Sequence, residues 1–261
     1  MTEAPVNAWM ERDGQVLRVQ LTRPKANIID AAMIGALGAA LDSYAAEPRL
    51  VAAVLDAAGP NFSFGASVQE HLPEQCAAML DKLHALIMQM IEFPVPIVAA
   101  VNGQCLGGGL EVACAASRII AASDASLGQP EISLAVFAPA ASCLLPERVG
   151  QVHAEALLLS GNSIDAQTAR KIGLIDAISD EPADAALAWI DDNLIGKSAS
   201  SLRIAVVAAR HDYAARMREK LATVTAMYVN ELMQTPDALE GLHAFLEKRK
   251  PVWQNDRRGA N

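Results

Sequence analysis

Apolar and polar positions alternate over residues 15–22, with Leu17, Val19 and Leu21 facing one way and polar neighbours the other, which predicts a half-buried strand. An alanine-rich stretch predicts a helix at 31–44, and a second strand is predicted at 51–56. Residues 61–67 read as a loop entering a short helix. Over 73–92, Met79, Leu83, Leu86, Ile87 and Met90 recur at helical intervals. Residues 97–101 are short, apolar and bounded by Pro96 and Asn102-Gly103, so they predict a buried strand. A helix at 108–116 and a strand at 118–122 follow. Beyond Asp165 the pattern is mostly helical: a short helix at 166–171, a last strand at 174–178, then helices at 183–194, 200–209, 216–233 and 237–250. Strands alternating with helices predict an α/β fold. A change near 195–198 divides a strand-bearing core, 1–197, from a helical C-terminal region, 198–261.

Composition changes this picture only by exclusion. A chain of 261 residues can bury a substantial core. A net charge of −9 without a basic cluster argues against nucleic acid, whose phosphates demand a positive face. It leaves anionic small molecules open, since local backbone donors and a few lysines suffice to bind them. Cys76, Cys105, Cys114 and Cys143 show no C-x-x-C spacing and read as reduced, small apolar residues. The histidines stand singly, so no metal is expected. Gly196-Lys197-Ser198 imitates the end of a P-loop, but Asp191 occupies the position of its first glycine. The first six residues carry no secretory pattern, and the longest uncharged apolar stretch, 132–146, is too short to span a bilayer and contains two prolines; a cytoplasmic protein is expected.

Candidate chemistry concentrates between Val95 and Glu131. Gly107-Gly108-Gly109 falls at the first turn of the predicted 108–116 helix, where N–H groups lack intrahelical partners and the macrodipole favours negative charge. Without a side chain, that backbone admits a ligand oxygen. Glu111 stands three residues after Gly108 on the same helical face, and Glu131 follows in Gly128-Gln-Pro-Glu-Ile132. Each feature alone has a structural reading: glycines for close packing, Glu111 as a first-turn acid, Glu131 as a turn acid. Together they describe an acid/base pair beside an anion hole.

Val101-Asn-Gly-Gln-Cys-Leu-Gly-Gly-Gly-Leu-Glu111 followed by Leu127-Gly-Gln-Pro-Glu131 resembles the crotonase, or enoyl-CoA hydratase/isomerase, superfamily. The likeness extends through Leu21-Thr-Arg-Pro-Lys25, Phe64-Gly-Ala66, Leu159-Ser-Gly161, Gly173-Leu174 and the stretch 240–249. It implies a spiral of β-β-α turns with a helical tail that docks on neighbouring subunits in a trimer or dimer of trimers. It also implies that Ala66 and Gly108 form an oxyanion hole for a thioester and that Glu111 and Glu131 are the catalytic acids. Two acids point to a hydratase rather than an isomerase. The coenzyme A of the substrate is the only cofactor-like group implied. Lys25, Ala26 and the segment Ser63, Phe64, Gly65 would line its channel, and Gln69 stands where many relatives carry lysine. Phe245 and Lys248 would close the channel from a neighbouring subunit.

After Glu131 the chain departs from the common glycine-rich pattern, reading Leu134-Ala-Val-Phe-Ala-Pro-Ala-Ala-Ser-Cys-Leu-Leu-Pro146. This segment resembles a branch of the superfamily that hydrates a cyclic dienoyl thioester in anaerobic benzoyl-CoA degradation. Val68, Leu134 and Phe137 are then expected to line a compact ring pocket. A packing variation in a buried helix is the structural alternative. A linear or cyclohexenoyl substrate, or a non-catalytic CoA-binding scaffold, are the functional ones.

Overall fold

The computed structural model describes residues 4–255; the first three residues, part of the segment read for a secretory signal, lie outside them. Strand β1 (Val6–Glu11) pairs antiparallel with β2 (Val16–Leu21), and helix α1 (Ala31–Ala45) follows. The Asp30 side chain caps α1 by accepting from the Met33 N–H, a bond of about 1 kcal/mol. Strand β3 (Ala52–Ala57), a 3₁₀ turn (Val68–His71), helix α2 (Cys76–Glu92) and strand β4 (Ile97–Val101) come next. Every residue of β4 is buried, which explains its unbroken apolar run.

The chain then alternates between two sheets. Strands β4 and β6 (Arg118–Ala121) lie in the larger sheet, while β5 (Gln104–Leu106) and β7 (Ser126–Gly128) lie in a smaller one. Helix α3 (Gly108–Cys114) completes one β-β-α turn. Helices α4 (Pro139–Val149) and α5 (Gln151–Ser160), strand β8 (Ser163–Asp165), helix α6 (Ala166–Lys171) and strand β9 (Ala177–Ile178) finish the spiral. The large sheet has the order β1-β2-β3-β4-β6-β9, parallel from β2 onward, and the small one the order β5-β7-β8. Helix α7 (Pro182–Asn193) covers one face of the large sheet: Leu187 and Ile190 pack with Val54, Val98 and Ile120.

Helices α8 (Ala199–Asn230) and α9 (Pro236–Leu246) end the described chain. The two helices expected at 200–209 and 216–233 are one. The polar stretch between them stays helical because Arg210 donates to the carbonyls of Ile91 and Phe93 and to Ser117, while Met217 and Leu221 enter the main core. The helix expected at 237–250 stops at Leu246, and Lys248 adopts a left-handed φ of 56°. The strand expected at 174–178 is shorter, since Leu174 and Ile175 serve as buried plugs after α6. Strands β1, β5, β7 and β8 and helices α4 and α5 have no counterpart in the predicted elements. No described helix is long and apolar enough to cross a membrane.

Helix α9 packs on the 68–71 turn and on a second 3₁₀ turn (Pro130–Leu134). Gly241 makes this possible, because a Cβ there would overlap the Leu134 carbonyl. Gly241→Ala is expected to cost on the order of 1–3 kcal/mol by overpacking. Thermal unfolding checks this: an unchanged midpoint would mean that α9 docks more loosely than described.

Candidate active site

Backbone strands bring two loops together. Phe62 and Ser63 donate to the carbonyls of Asn102 and Gln104, Leu106 donates back to Ser63, and Phe64 donates to Ala26. Residues 62–64 are thus stitched to β5 on one side and to the loop before α1 on the other. Ser63 is fully buried; its hydroxyl donates to the Asn27 carbonyl at 2.8 Å and accepts from the Gly65 N–H at 3.1 Å. The Ser63 side chain is consumed in holding the loop, so only the backbone of residues 63–66, as the sequence reading had it, is left to meet a ligand.

Two glycines are required by this approach. Gly65 has φ +103°, and a Cβ on it would sit 3.2 Å from the Leu106 carbonyl oxygen. Gly107 has φ +50°, and a Cβ on it would strike the Glu131 carboxylate. The next residues in each loop, Ala66 and Gly108, lie side by side: a Cβ at Gly108 would be 3.1 Å from the Ala66 nitrogen. Gly108 opens α3, so its N–H precedes the helical ladder. Among the described residues neither the Ala66 nor the Gly108 N–H has a protein acceptor.

Glu111, one turn along α3, is 3% exposed, and its Oε1 accepts from the Ala141 N–H at 2.8 Å. Ala141 lies in the first turn of α4, whose free N–H groups thereby receive the carboxylate. Glu131 sits at the start of the 130–134 turn, set by Pro130. Gln129, 1% exposed, points its amide at this carboxylate, and in the orientation that satisfies both groups its nitrogen donates to Glu131 at 3.0 and 3.2 Å. Burial raises the pKa of both glutamates, and the charge of Glu111 raises that of Glu131 further. The charge of one carboxyl group thus bears on the other, and the two compete for ionisation.

That competition has a stability consequence. A raised folded-state pKa means that the folded protein holds protons which the unfolded chain has released, so stability falls as pH rises from the ordinary glutamate range, near 4.3, through the raised values. Glu111→Gln and Glu131→Gln remove this penalty. Each is expected to gain on the order of 1–3 kcal/mol above that window and almost nothing below it. Urea denaturation at several pH values reads this, and a gain independent of pH would contradict raised carboxyls.

A cavity of about 410 Å³ has Glu131 on its wall, while Glu111 and Gly108 stand outside its lining. Gly65, Ala66 and Gly107 form its backbone wall, with Glu131 beside them; Val68, Leu134, Val136 and Leu242 form an apolar wall, and the exposed Phe64 and Phe245 stand at the rim. Val68 and Leu134 are where the sequence reading placed them. Phe137 is not: Ala135 turns left-handed at φ 54°, and the Phe137 ring packs edge-on against Tyr228 at 5.3 Å, behind the wall. Phe245 stands at the rim of the cavity of its own chain. Lys25, Gln69 and Lys248 are exposed outside the lining, and the Ala26 carbonyl is engaged by Phe64. Residues the sequence reading missed are His71, Gln129, Val136, Leu242 and the Ala141 amide. Two signals were available for them: His71 is one 3₁₀ turn beyond Val68, and Gln129 is two residues before Glu131.

The sequence profile of the enoyl-CoA hydratase/isomerase family matches residues 11–257. The chain belongs to that family. It is 58% identical over 257 residues to a cyclohexa-1,5-dienecarbonyl-CoA hydratase of Thauera aromatica, covering 98% of this chain and 100% of that protein. A carnitinyl-CoA dehydratase of Salmonella paratyphi A is 28% identical, across 94% of this chain and 97% of its own length. Among solved structures, an enoyl-CoA hydratase from Mycobacterium avium superposes with a TM-score of 0.85 at 25% identity, covering 97% of this chain and 100% of that one. The two-sheet spiral described above is therefore the crotonase fold. The enzyme is a hydratase-type lyase, and its substrate is an acyl-CoA thioester.

Proposed function

We propose that this enzyme adds water to cyclohexa-1,5-diene-1-carbonyl-CoA, giving 6-hydroxycyclohex-1-ene-1-carbonyl-CoA, as a step in anaerobic benzoyl-CoA degradation. The observation that carries the reading is the pair of raised, interacting carboxyls set beside two adjacent unengaged amides. The relative of the same length that shares over half its residues, and whose name states that activity, supports the choice of ring substrate. So does the enclosed apolar wall of Val68, Leu134, Val136 and Leu242.

In this mechanism the thioester oxygen accepts from the Ala66 and Gly108 N–H groups. Hydroxide adds to the ring carbon beside the one bearing the thioester, and the resulting dienolate gathers its charge on that oxygen. Preorganised donors in a water-poor site stabilise such charge. Glu111 and Glu131 orient the water, take one of its protons and return a proton to the far end of the dienolate. One ionised and one protonated carboxyl divide this labour, and their mutual repulsion maintains that state. Either glutamate can hold the proton, since the pair titrates as a unit.

The coenzyme leaves the cavity past Phe64 and Phe245. Lys25, Ala26, the 63–65 backbone, Gln69 and Lys248 stand as its contacts outside the acyl cavity. No resident cofactor is required. Residues 1–197 carry the two glutamates and the two amides, Leu242 and Phe245 complete the cavity from 198–261, and the rest of that region serves assembly into a trimer or dimer of trimers. Exposed Ile204 and Val207 on α8 and Val152 and Leu159 on α5 supply apolar surface for that assembly. The cytoplasm is the proposed compartment.

Initial rates with the cyclic dienoyl-CoA against crotonyl-CoA test the assignment. A kcat/KM at least tenfold higher for the ring is expected; preference for the linear thioester would reject the ring substrate while leaving a hydratase.

A further inference from the structure

His71 is the one imidazole on the cavity wall, and the hydration chemistry above does not use it. It ends the 68–71 turn that begins two residues after Ala66. In a 3₁₀ turn, residues three apart eclipse, so His71 projects on the same side as Val68, toward the acyl group rather than the thioester oxygen. Its Nδ1 lies 2.8 Å from the Ser67 carbonyl oxygen. A carbonyl only accepts, so Nδ1 carries the proton and Nε2 presents a lone pair. The Tyr228 ring, edge-on at 6.4 Å, packs against the imidazole. Burial lowers the His71 pKa, which keeps the ring neutral and Nε2 an acceptor. Among the described residues Nε2 has no hydrogen-bond partner; Val68, Leu134, Val136 and Leu242 on the wall offer none, and the polar side chains that share the lining are Ser133 and Glu131.

An acceptor held in one tautomer on an apolar wall favours ligands that bring a donor there and disfavours those that do not. The bare dienoyl ring has only C–H bonds; a hydroxylated ring has an O–H. We propose that His71 Nε2 accepts a hydrogen bond from a hydroxyl group on the acyl ring, making His71 a specificity-determining residue for hydroxylated cyclic acyl thioesters. This rests on the acyl-CoA reading of the cavity. The hydroxyl has two possible sources, the one added at the carbon next to the thioester-bearing carbon and one already present elsewhere on the ring.

Equilibrium binding by calorimetry separates these sources. The host is a Glu111→Gln/Glu131→Gln double variant, which the mechanism above makes inert. The ligands are cyclohex-1-ene-1-carbonyl-CoA and its 6-hydroxy and 4-hydroxy derivatives. One hydroxylated thioester is expected to bind about tenfold tighter than the unsubstituted one, as one hydrogen bond made on the cavity wall provides. The 6-hydroxy ligand identifies the added oxygen as the partner, and the 4-hydroxy ligand a pre-existing substituent. Adding His71→Phe is expected to abolish the gain without weakening the unsubstituted ligand, and His71→Gln, which restores an acceptor, to recover part of it. Binding of all three ligands with no hydroxyl gain, or a gain that survives His71→Phe, would overturn this inference alone. Failure of every thioester to bind would overturn the acyl-CoA site as well. Should His71→Phe fail to fold, His71→Leu takes its place, and the same two outcomes decide.

Discussion

Glu111→Gln and Glu131→Gln are each expected to lower turnover of the cyclic dienoyl thioester by about 10²–10⁴-fold, the range that positioned acid/base groups contribute. Thioester affinity should change little. Glutamine keeps the shape of glutamate and its acceptor oxygen, so the new amide in Glu111→Gln can still take the Ala141 N–H, and the one in Glu131→Gln can still face Gln129. What is lost is the exchangeable proton. The pair shares one ionisation, so the double variant should be only slightly slower than the worse single one, because groups that act as a unit are not additive. Steady-state rates with equilibrium binding of a non-reacting thioester give both numbers. Full activity in either single variant would remove that residue from the chemistry, and matching losses in affinity would make the carboxyls binding groups instead.

Gly108→Ala tests the other half of the site. The backbone at 108 is helical and accepts alanine, but the new Cβ would lie 3.0 Å from the Ala66 Cβ and 3.1 Å from the Ala66 nitrogen. The two loops must part by a few tenths of an ångström, which spoils a hole built from one N–H on each. Turnover is expected to fall about 10²–10³-fold, the effect of losing one such donor. Stability should fall by less than the barrier rises, since only one contact is crowded. A dienoyl thioester bound to this variant should also lose the red shift that carbonyl polarisation produces in its absorption. Unchanged rates would place the thioester oxygen elsewhere.

The site was legible in the chain because its parts are local. The Gly107–Gly109 triplet and Glu111, on the same helical face as Gly108, announce themselves through short-range backbone rules, whereas Ala66 was placed by the family resemblance. Strand β4 and helix α1 were legible for the same reason: an unbroken buried run and an alanine-rich stretch of helix formers. Failures occurred where distant contacts decide. Nothing near Arg210 in the sequence shows that it binds carbonyls of residues 91 and 93, so α8 read as two helices. Phe137 read as a pocket residue because its neighbours are, and only the left-handed turn at Ala135 and the presence of Tyr228 send it behind the wall. Strand β1 mixes polar with apolar residues at the sheet edge and gives little periodic signal. Gln129 and His71 depend on what each side chain meets across the cavity, which sequence spacing does not contain.

The most direct test of the whole account is a crystal structure of the Glu131→Gln variant with the cyclic dienoyl thioester bound. The account predicts the thioester oxygen within hydrogen-bond distance of both the Ala66 and Gly108 nitrogens. It also predicts the ring against Val68, Leu134, Val136 and Leu242, with a water between the new amide at position 131 and the Glu111 carboxylate. A thioester oxygen bound away from those two amides, or a ring lying outside the cavity, would contradict it.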